Sequence, residues 1–134
     1  MRLAEADACS RTLGAACTDA GAGFAVMQLR VGAQHLNFNG TCHGGVIFTL
    51  ADATFALASN SHGVVAAAID AHITYQMAVL PGEMLTARAL EVSRSRRLAV
   101  YRVDVTRADG QPVSCFTGTV YVTSGVHAGA ASAQ

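Results

Sequence analysis

The eighteen residues from His43 to Asn60 constrain the fold more than any other segment, and they read HGGVIFTLADATFALASN. The segment contains no proline, and as a helix it is apolar on almost every side, with Asp52 as its one acidic residue. A helix that is apolar all round is buried on all sides. A membrane span is the alternative, but the apolar run is shorter than the roughly 20 residues that a bilayer requires and an aspartate interrupts it. The segment therefore predicts a buried central helix and no membrane partner.

The chain on both sides of this helix has the alternation of β-strands. One strand is predicted before the helix, at residues 24–31, and four follow it, at residues 69–77, 84–92, 99–106 and 113–122. Pro81-Gly82 and Asp109-Gly110 predict turns, and an irregular phase near Glu91 predicts a β-bulge. A weak amphipathic pattern from Leu3 to about Ala20 predicts an N-terminal helix that ends at the glycines 21 and 23.

These elements predict an α+β architecture in which a curled antiparallel sheet wraps around one long central helix, the hotdog fold. We expect an N-terminal helix at residues 1–22, the hotdog domain at residues 23–124 and a disordered tail at residues 125–134. Hydrophobic residues make up 51% of the chain, a high fraction for 134 residues. We expect part of this apolar surface to be buried against further copies of the chain. We therefore predict a homo-oligomer, with a tetramer as the expected assembly.

The composition indicates which binding partners and which cellular compartment to expect. The formal net charge is zero, which argues against nucleic acid as a partner because such binding depends on phosphate neutralisation. All nine basic residues are arginine. The four cysteines form no CxxC pair, and acidic residues interrupt the N-terminus, which predicts reduced thiols in a cytoplasmic protein. The five histidines lack the clustering of metal ligands, so we predict no metal site and no cofactor.

Several short motifs match a known family. They are Asn37, the run Gly40-Thr41-Cys42-His43-Gly44-Gly45-Val46-Ile47-Phe48-Thr49-Leu50-Ala51-Asp52, Phe55, Asn60, Ile73-Thr74-Tyr75, Pro81-Gly82-Glu83, Leu85-Thr86-Ala87 and Gly118-Thr119. With them the chain closely resembles the phenylacetate-pathway thioesterases (PaaI type) of the hotdog superfamily, over about residues 23–124. An HGG that opens a helix, with an acid eight residues on, is quite specific.

The resemblance implies roles for individual residues. Asp52 would be the catalytic acid, Gly44 would provide the oxyanion hole, and Asn37 would help to hold the attacking water or the acid, with His43 in a supporting place. Related eukaryotic members also use a serine on the strand after the helix. The corresponding position here is Ala68, so that role is absent or filled otherwise.

The residues themselves fit this chemistry. Free N–H groups at a helix N-terminus stabilise an oxyanion, and Gly44 and Gly45 allow a thioester carbonyl to approach the backbone. A partly buried Asp52 gains basicity. Because Gly44 and Asp52 are eight residues apart, about 12 Å along one helix, they cannot both touch one carbonyl. We therefore expect active sites that are shared between two chains, with a dimer as the minimal active unit.

Other residues have two interpretations each. His43 either orients the site or is a helix-start residue bonded to a neighbouring loop, and Asn37 either positions water or is an ordinary turn residue. Asn60 is expected to be a helix C-cap, and Cys42 lacks a base that would make it a nucleophile. The arginines of the predicted hairpin end either lie in a solvated turn or bind the phosphates of coenzyme A, and they are Arg94, Arg96 and Arg97.

The predicted function is hydrolysis of an acyl-CoA, and the resemblance implies an aryl-acetyl group such as phenylacetyl or its hydroxylated forms. A non-catalytic acyl-CoA-binding protein on the same fold is the alternative. A hydratase or dehydratase would need a catalytic histidine as its base, and the central helix offers none after its first position.

Overall fold

One antiparallel sheet surrounds a single long helix. In the computed structural model, which describes residues 2–127, the elements in chain order are α1 (Arg2–Ala6), α2 (Ala8–Leu13), β1 (Ala16–Gly21), β2 (Phe24–Arg30), a 3-10 turn (Ala33–His35), α3 (Gly44–Ser59), β3 (Val64–Tyr75), β4 (Met84–Arg94), β5 (Leu98–Thr106) and β6 (Pro112–Val126). The strand order in the sheet is β1-β2-β4-β5-β6-β3. All neighbouring strands are antiparallel, and α3 packs against every one of them, which gives the predicted hotdog fold.

The alternating positions predicted from the sequence form the core. Met27 and Leu29 of β2 are each 1% exposed, and Tyr101 and Val103 of β5 are fully buried. Alternate side chains of a strand point to the same face of a sheet, so one face of each of these strands covers α3. The predicted bulge is also present, because the pairing of β4 with β5 shifts register between Glu91 and Ser93.

A glycine in β6 brings the sheet close to the helix. A Cβ atom on Gly118 would lie 2.7 Å from the ring of Phe55, which is too close for any side chain. Phe55 fills the space that this glycine leaves, and its ring packs against the rings of Tyr101 and Phe116 at centroid distances of 5.9 and 5.4 Å. The absence of a side chain at residue 118 therefore sets the distance between α3 and the sheet.

The central helix begins and ends one residue inside the predicted segment, and both flanking residues cap it. His43 Nδ1 accepts a hydrogen bond from the Gly45 N–H at 2.9 Å. At the other end the Asn60 amide donates to the carbonyl of Ala56 at 2.9 Å, and its oxygen accepts from the N–H of Ala66 at 2.9 Å. Asn60 is thus the predicted C-cap, and it also ties the helix to β3.

The predicted N-terminal helix at residues 1–22 is wrong from residue 14 onward. Gly14 adopts a left-handed backbone with φ of 90° and ends α2, since its N–H turns back to the carbonyls of Ser10 and Arg11. The chain then forms β1, which pairs with β2, and Gly23 with φ of 79° lies in the hairpin turn that joins them. The sheet therefore has one strand more than predicted, because pairing with the edge of β2 outweighs the weak helical pattern.

Two further boundaries differ from the prediction. β6 continues to Val126, which pairs with Val64, so Gly125 and Val126 belong to the sheet and not to a disordered tail. The N–H of His127 donates to the Gly63 carbonyl at 3.0 Å, and the remainder of the predicted tail, residues 128–134, lies outside the described residues. Within residues 2–127, no helix is long and apolar enough to cross a membrane.

Candidate active site

The first turn of α3 presents one unused backbone donor. The Gly45 N–H is taken by the ring of His43, whereas the Gly44 N–H makes no hydrogen bond within the described part of the chain. The hydroxyl of Tyr75 on β3 donates to the Gly44 carbonyl at 3.0 Å and fixes this turn against the sheet. The Gly44 N–H therefore points out of an anchored helix end, as an oxyanion-binding donor must.

His43 acts locally through its cap. Since its Nδ1 accepts the Gly45 N–H, the proton of the neutral ring is on Nε2, and the imidazole is held by its own helix. The backbone N–H of His43 donates to the carbonyl of His35 in the preceding 3-10 turn at 2.8 Å, so the residue is also bonded to the neighbouring loop as a helix-start residue. Because the Gly45 N–H already donates to His43, it is not available to the substrate. Gly45 could contribute to substrate binding only by leaving space where another residue would have a side chain.

Asp52 lies on the one stripe of α3 that the sheet does not bury. Gly45, Thr49, Asp52 and Ala56 are spaced four, three and four residues apart and share this stripe, and each is at least partly exposed. The prediction that α3 is buried on every side is wrong along this line. Burial raises the pKa of Asp52, and the nearby carboxylate of Asp7 raises it further. A carboxylate of raised pKa is a better proton acceptor than a solvated one.

A cleft of about 360 Å³ opens beside Asp52 along this stripe. Its walls come from α1 and α2, from α3 and from the end of β6, and are lined by Leu3, Ala6, Asp7, Cys9, Thr49, Asp52, Ala53, Ala56, Leu57, Asn60 and His127. Five of these side chains are aliphatic and most of the lining surface is apolar, and the carboxylates of Asp7 and Asp52 are the acidic groups among them. The cleft offers an apolar space next to a basic carboxylate.

Asn37 organises the loop before the helix. Its side-chain oxygen accepts hydrogen bonds from the N–H groups of Asn39 and Thr41 at 2.9 and 3.2 Å, and its amide donates to the Thr41 hydroxyl at 3.0 Å. This is the side-chain pattern of a turn residue. A water-positioning role for Asn37, implied by the family resemblance, remains a prediction.

The three arginines lie far from Gly44 within one chain. His62, just past the end of α3, contacts Glu91 of β4 at 2.8 Å, and Arg94 lies 3.9 Å from the same carboxylate. Arg96 and Arg97 follow in the exposed turn between β4 and β5. The cluster therefore lies at the C-terminal end of α3, and the structure does not bring it to the Gly44 of its own chain.

Two further candidates are tested by burial and by geometry. Cys42 is 6% exposed, and burial raises the pKa of its thiol to about 11, so it is protonated at neutral pH and unsuited to be a nucleophile. Within residues 2–127, no group of three or more histidine, cysteine, aspartate and glutamate side chains converges in a way that could hold a metal ion.

Sequence reasoning missed three residues of this region. Thr49 could have been found, because three residues before Asp52 is the same helix face. Tyr75 was part of a recognised motif but had no assigned contact. Asp7 had no signal, since nothing in the pattern of the N-terminal segment shows which part of the chain it packs against.

Comparisons with known proteins agree with the fold. Residues 39–114 match the thioesterase superfamily model. The chain is 46% identical over 99 residues to a protein of Archaeoglobus fulgidus described as a putative esterase, an alignment that covers 74% of this chain and 64%, just under two thirds, of that protein's length. It is 35% identical over 127 residues to the acyl-coenzyme A thioesterase PaaI of Escherichia coli K12, covering 95% of this chain and 91% of that one.

Solved structures give the same result. The E. coli PaaI protein, described as coming from the phenylacetic acid degradation operon, superposes with a TM-score of 0.91 at 34% identity over 93% of this chain and 91% of that chain. A hypothetical thioesterase of Streptococcus pneumoniae TIGR4, solved with coenzyme A, superposes with a TM-score of 0.80 at 29% identity over 84% of this chain and 91% of that chain. The chain therefore belongs to the thioesterase superfamily, as a hotdog-fold acyl-CoA thioesterase of the PaaI type.

Proposed function

We propose that the chain hydrolyses aryl-acetyl-CoA, such as phenylacetyl-CoA or its hydroxylated derivatives, to the free acid and CoA. The observation that carries the proposal is the pairing on α3 of an unused Gly44 N–H with a partly buried Asp52 of raised pKa. The likeness to PaaI of the phenylacetic acid degradation operon and the apolar cleft beside Asp52 support an aryl-acetyl group. Four free thiols fit the proposed cytoplasmic location.

In the proposed reaction the Gly44 N–H binds the oxygen of the thioester carbonyl as negative charge develops on it. A backbone donor of this kind contributes about 3 kcal/mol to the transition state. Asp52 either takes a proton from the attacking water, which adds to the carbonyl and expels the CoA thiolate, or attacks the carbonyl itself. In the second route the C–S bond breaks, the CoA thiolate leaves, and water hydrolyses the resulting anhydride. In both routes the carboxylate must be ionised, so activity falls as the pH drops through the pKa of Asp52.

The site is proposed to be completed by a second copy of the chain. About 12 Å of helix separates Gly44 from Asp52, so one carbonyl cannot meet both in one chain. β3 is an edge strand of twelve residues, and within residues 2–127 one of its sides is unpaired. Its apolar residues Ile69 and Tyr75 are 60% and 50% exposed. Pairing of two β3 edges would place two α3 helices antiparallel, with Gly44 of one beside Asp52 of the other. The dimer is the proposed minimal unit, and the tetramer the proposed assembly.

The same pairing of two copies would bring the arginine cluster of one chain close to Gly44 of the other. The arginines lie at the C-terminal end of α3, and in an antiparallel pair this end adjoins the Gly44 end of the other copy. Arg94, Arg96 and Arg97 are thus proposed to bind the phosphates of CoA whose thioester lies at the shared site. The coenzyme A in the S. pneumoniae relative supports the choice of ligand.

The test is thiol release from a panel of acyl-CoA substrates, detected with a thiol-reactive dye. The panel contains phenylacetyl-CoA, a hydroxyphenylacetyl-CoA, acetyl-CoA and a long-chain acyl-CoA. Highest kcat/KM with the aryl-acetyl members is expected. Highest kcat/KM with another acyl group would overturn the substrate, and no release from any member, with binding retained, would favour the non-catalytic alternative.

A further inference from the structure

The cleft beside Asp52 contains a second carboxylate that the proposed reaction does not use. Asp7 lies between α1 and α2 and lines the same cleft as Asp52. It is half-buried, although the residues on either side of it in the chain are exposed. An acidic side chain turned toward a partly buried acid is costly unless something holds it there.

Asp7 is held by its own helix turn. Its carboxylate accepts a hydrogen bond from the hydroxyl of Ser10, a side chain that is 2% exposed. α2 is itself fixed at its end, because the His35 ring contacts the Leu13 carbonyl through Nε2 at 2.7 Å while its Nδ1 accepts the Gly32 N–H. The position of Asp7 over α3 is thus set by a buried hydroxyl and an anchored helix.

The charge of Asp7 is not neutralised within the cleft. From α2 the other titratable group on the lining is the thiol of Cys9, and from the end of β6 it is the ring of His127. α3 contributes no charged side chain besides Asp52, and the strands pack against the opposite side of that helix. Among the side chains that the structure describes, no arginine lines the cleft, and Glu5 of α1 lies outside the lining.

We propose that Asp7 is a positioning residue of the active site: held by Ser10 in the same cleft as Asp52, its negative charge makes Asp52 a stronger proton acceptor in thioester hydrolysis. The inference rests on the proposed function, because its first test measures the rate of thioester hydrolysis. A like charge disfavours ionisation of its neighbour, and after burial Asp7 is the second cause that raises the pKa of Asp52. The N-terminal segment thereby tunes a base that α3 carries.

The test is the pH dependence of kcat/KM in Asp7→Asn. Asparagine can accept the Ser10 hydrogen bond through its side-chain oxygen, so the fold is retained. Losing the charge lowers the pKa of Asp52, and the acid limb of the profile moves to lower pH. The ratio of kcat/KM at a pH on the acid limb of the wild-type profile to that on its plateau should rise at least about twofold over wild type. Ser10→Ala, which frees Asp7 to turn to solvent, should shift the limb in the same direction but less.

The matched control is Glu5→Gln, which removes the same charge two residues away and outside the cleft, and it should leave the profile unchanged. Ionisations of the substrate itself are common to all variants and cancel in the comparison. An Asp7→Asn profile that superposes on wild type would overturn the proposal, as would an equal shift in Glu5→Gln.

A second measurement separates this inference from the proposed function. The side-chain carboxyl carbons are labelled with ¹³C-aspartate, and the Asp52 signal is assigned by its loss in Asp52→Asn. Its NMR titration midpoint should be lower in Asp7→Asn than in wild type, whether or not any acyl-CoA is hydrolysed. An unchanged midpoint contradicts the role of Asp7, whereas a shifted midpoint in a protein without thioesterase activity contradicts the proposed function alone.

Discussion

The two sides of α3 differ in what they do. Toward the sheet the helix carries Leu50, Ala51 and Phe55, which are 0–1% exposed and surrounded by apolar side chains. On the other side, Thr49 and Asp52 face a cleft whose far wall is two short helices of five and six residues. The sequence of α3 is apolar nearly all round, yet only its sheet side is buried in the core and stabilises the fold. Its cleft side is partly exposed and carries the proposed catalytic carboxylate.

This difference explains why an aspartate is tolerated in so apolar a helix. Full burial of an unpaired carboxylate costs several kcal/mol, and among the side chains described no arginine lines the cleft to pair with Asp52. On the cleft side Asp52 keeps contact with water, and its pKa rises without the whole penalty of burial. Substitutions on the two sides should therefore separate stability from activity.

The largest effect is expected on the sheet side, from Phe55→Ala. Removing a fully buried ring leaves a cavity beneath Gly118 and costs about 3–5 kcal/mol of the free energy of unfolding. Denaturant titration at one fixed protein concentration measures it, since oligomer stability depends on concentration. Leu57→Ala, on the half-buried cleft side of the same helix, is the control and should lose clearly less. Equal losses in both variants would remove the distinction between the two sides.

On the cleft side Asp52→Asn should show the opposite behaviour. Asparagine keeps the size of the side chain but neither takes a proton nor attacks, so kcat should fall at least about 100-fold. The raised pKa means that the folded state disfavours the ionised form; that cost is complete above the folded pKa and absent below the unfolded one. The melting temperature at neutral pH should therefore stay unchanged or rise. Exposed Asp19→Asn is the matched control, and a kcat equal to that of wild type in Asp52→Asn would contradict a catalytic role.

A smaller effect, on KM, is expected from the arginine cluster at the C-terminal end of α3. Replacing Arg94, Arg96 and Arg97 by glutamine should raise KM several-fold and change kcat little, since phosphate contacts bind ground state and transition state alike. The control is the same replacement at three other exposed arginines, Arg30, Arg88 and Arg102. Steady-state kinetics at low salt measures KM for both triple variants. An unchanged KM in the variant of Arg94, Arg96 and Arg97 would exclude the cluster from the CoA site.

The sequence was sufficient for the elements that carry strong periodicity. The buried faces of β2 and β5 and the capped ends of α3 lie where the pattern places them, because strand alternation and the need to bury an apolar helix leave few choices. β1 was missed since its six residues, ACTDAG, have no alternation and pair only because β2 offers an open edge. Local pattern does not contain that information.

The candidate site divides in the same way. Asp52 and Gly44 stand out in the sequence, as a charge in an apolar helix and as a glycine at its start. The contacts that adjust them come from segments distant in sequence: Tyr75 reaches the Gly44 carbonyl across 31 positions, and Asp7 enters the cleft on a segment with no clear pattern of its own. Such pairs are visible only once the chain is folded.

The most direct test of a site shared between two chains is complementation of two inactive variants. Asp52→Asn retains Gly44. Gly44→Val retains Asp52 but places a branched side chain beside the donor N–H, and its Cβ would also lie 3.3 Å from the Tyr75 ring. In an equal mixture with full exchange, half of the dimers are mixed and each of these has one native site. Activity should then recover to about a quarter of wild type.

Exchange is verified by native mass spectrometry of differently tagged chains, and each variant is checked for folding by circular dichroism. The control mixes Asp52→Asn with a chain that carries both substitutions, a pair that cannot form a native site in any arrangement and should stay inactive. Recovery of activity in the first mixture alone is the predicted result. If mixed dimers form and that mixture stays inactive, Gly44 and Asp52 do not act together across the subunit boundary, and the shared site is wrong.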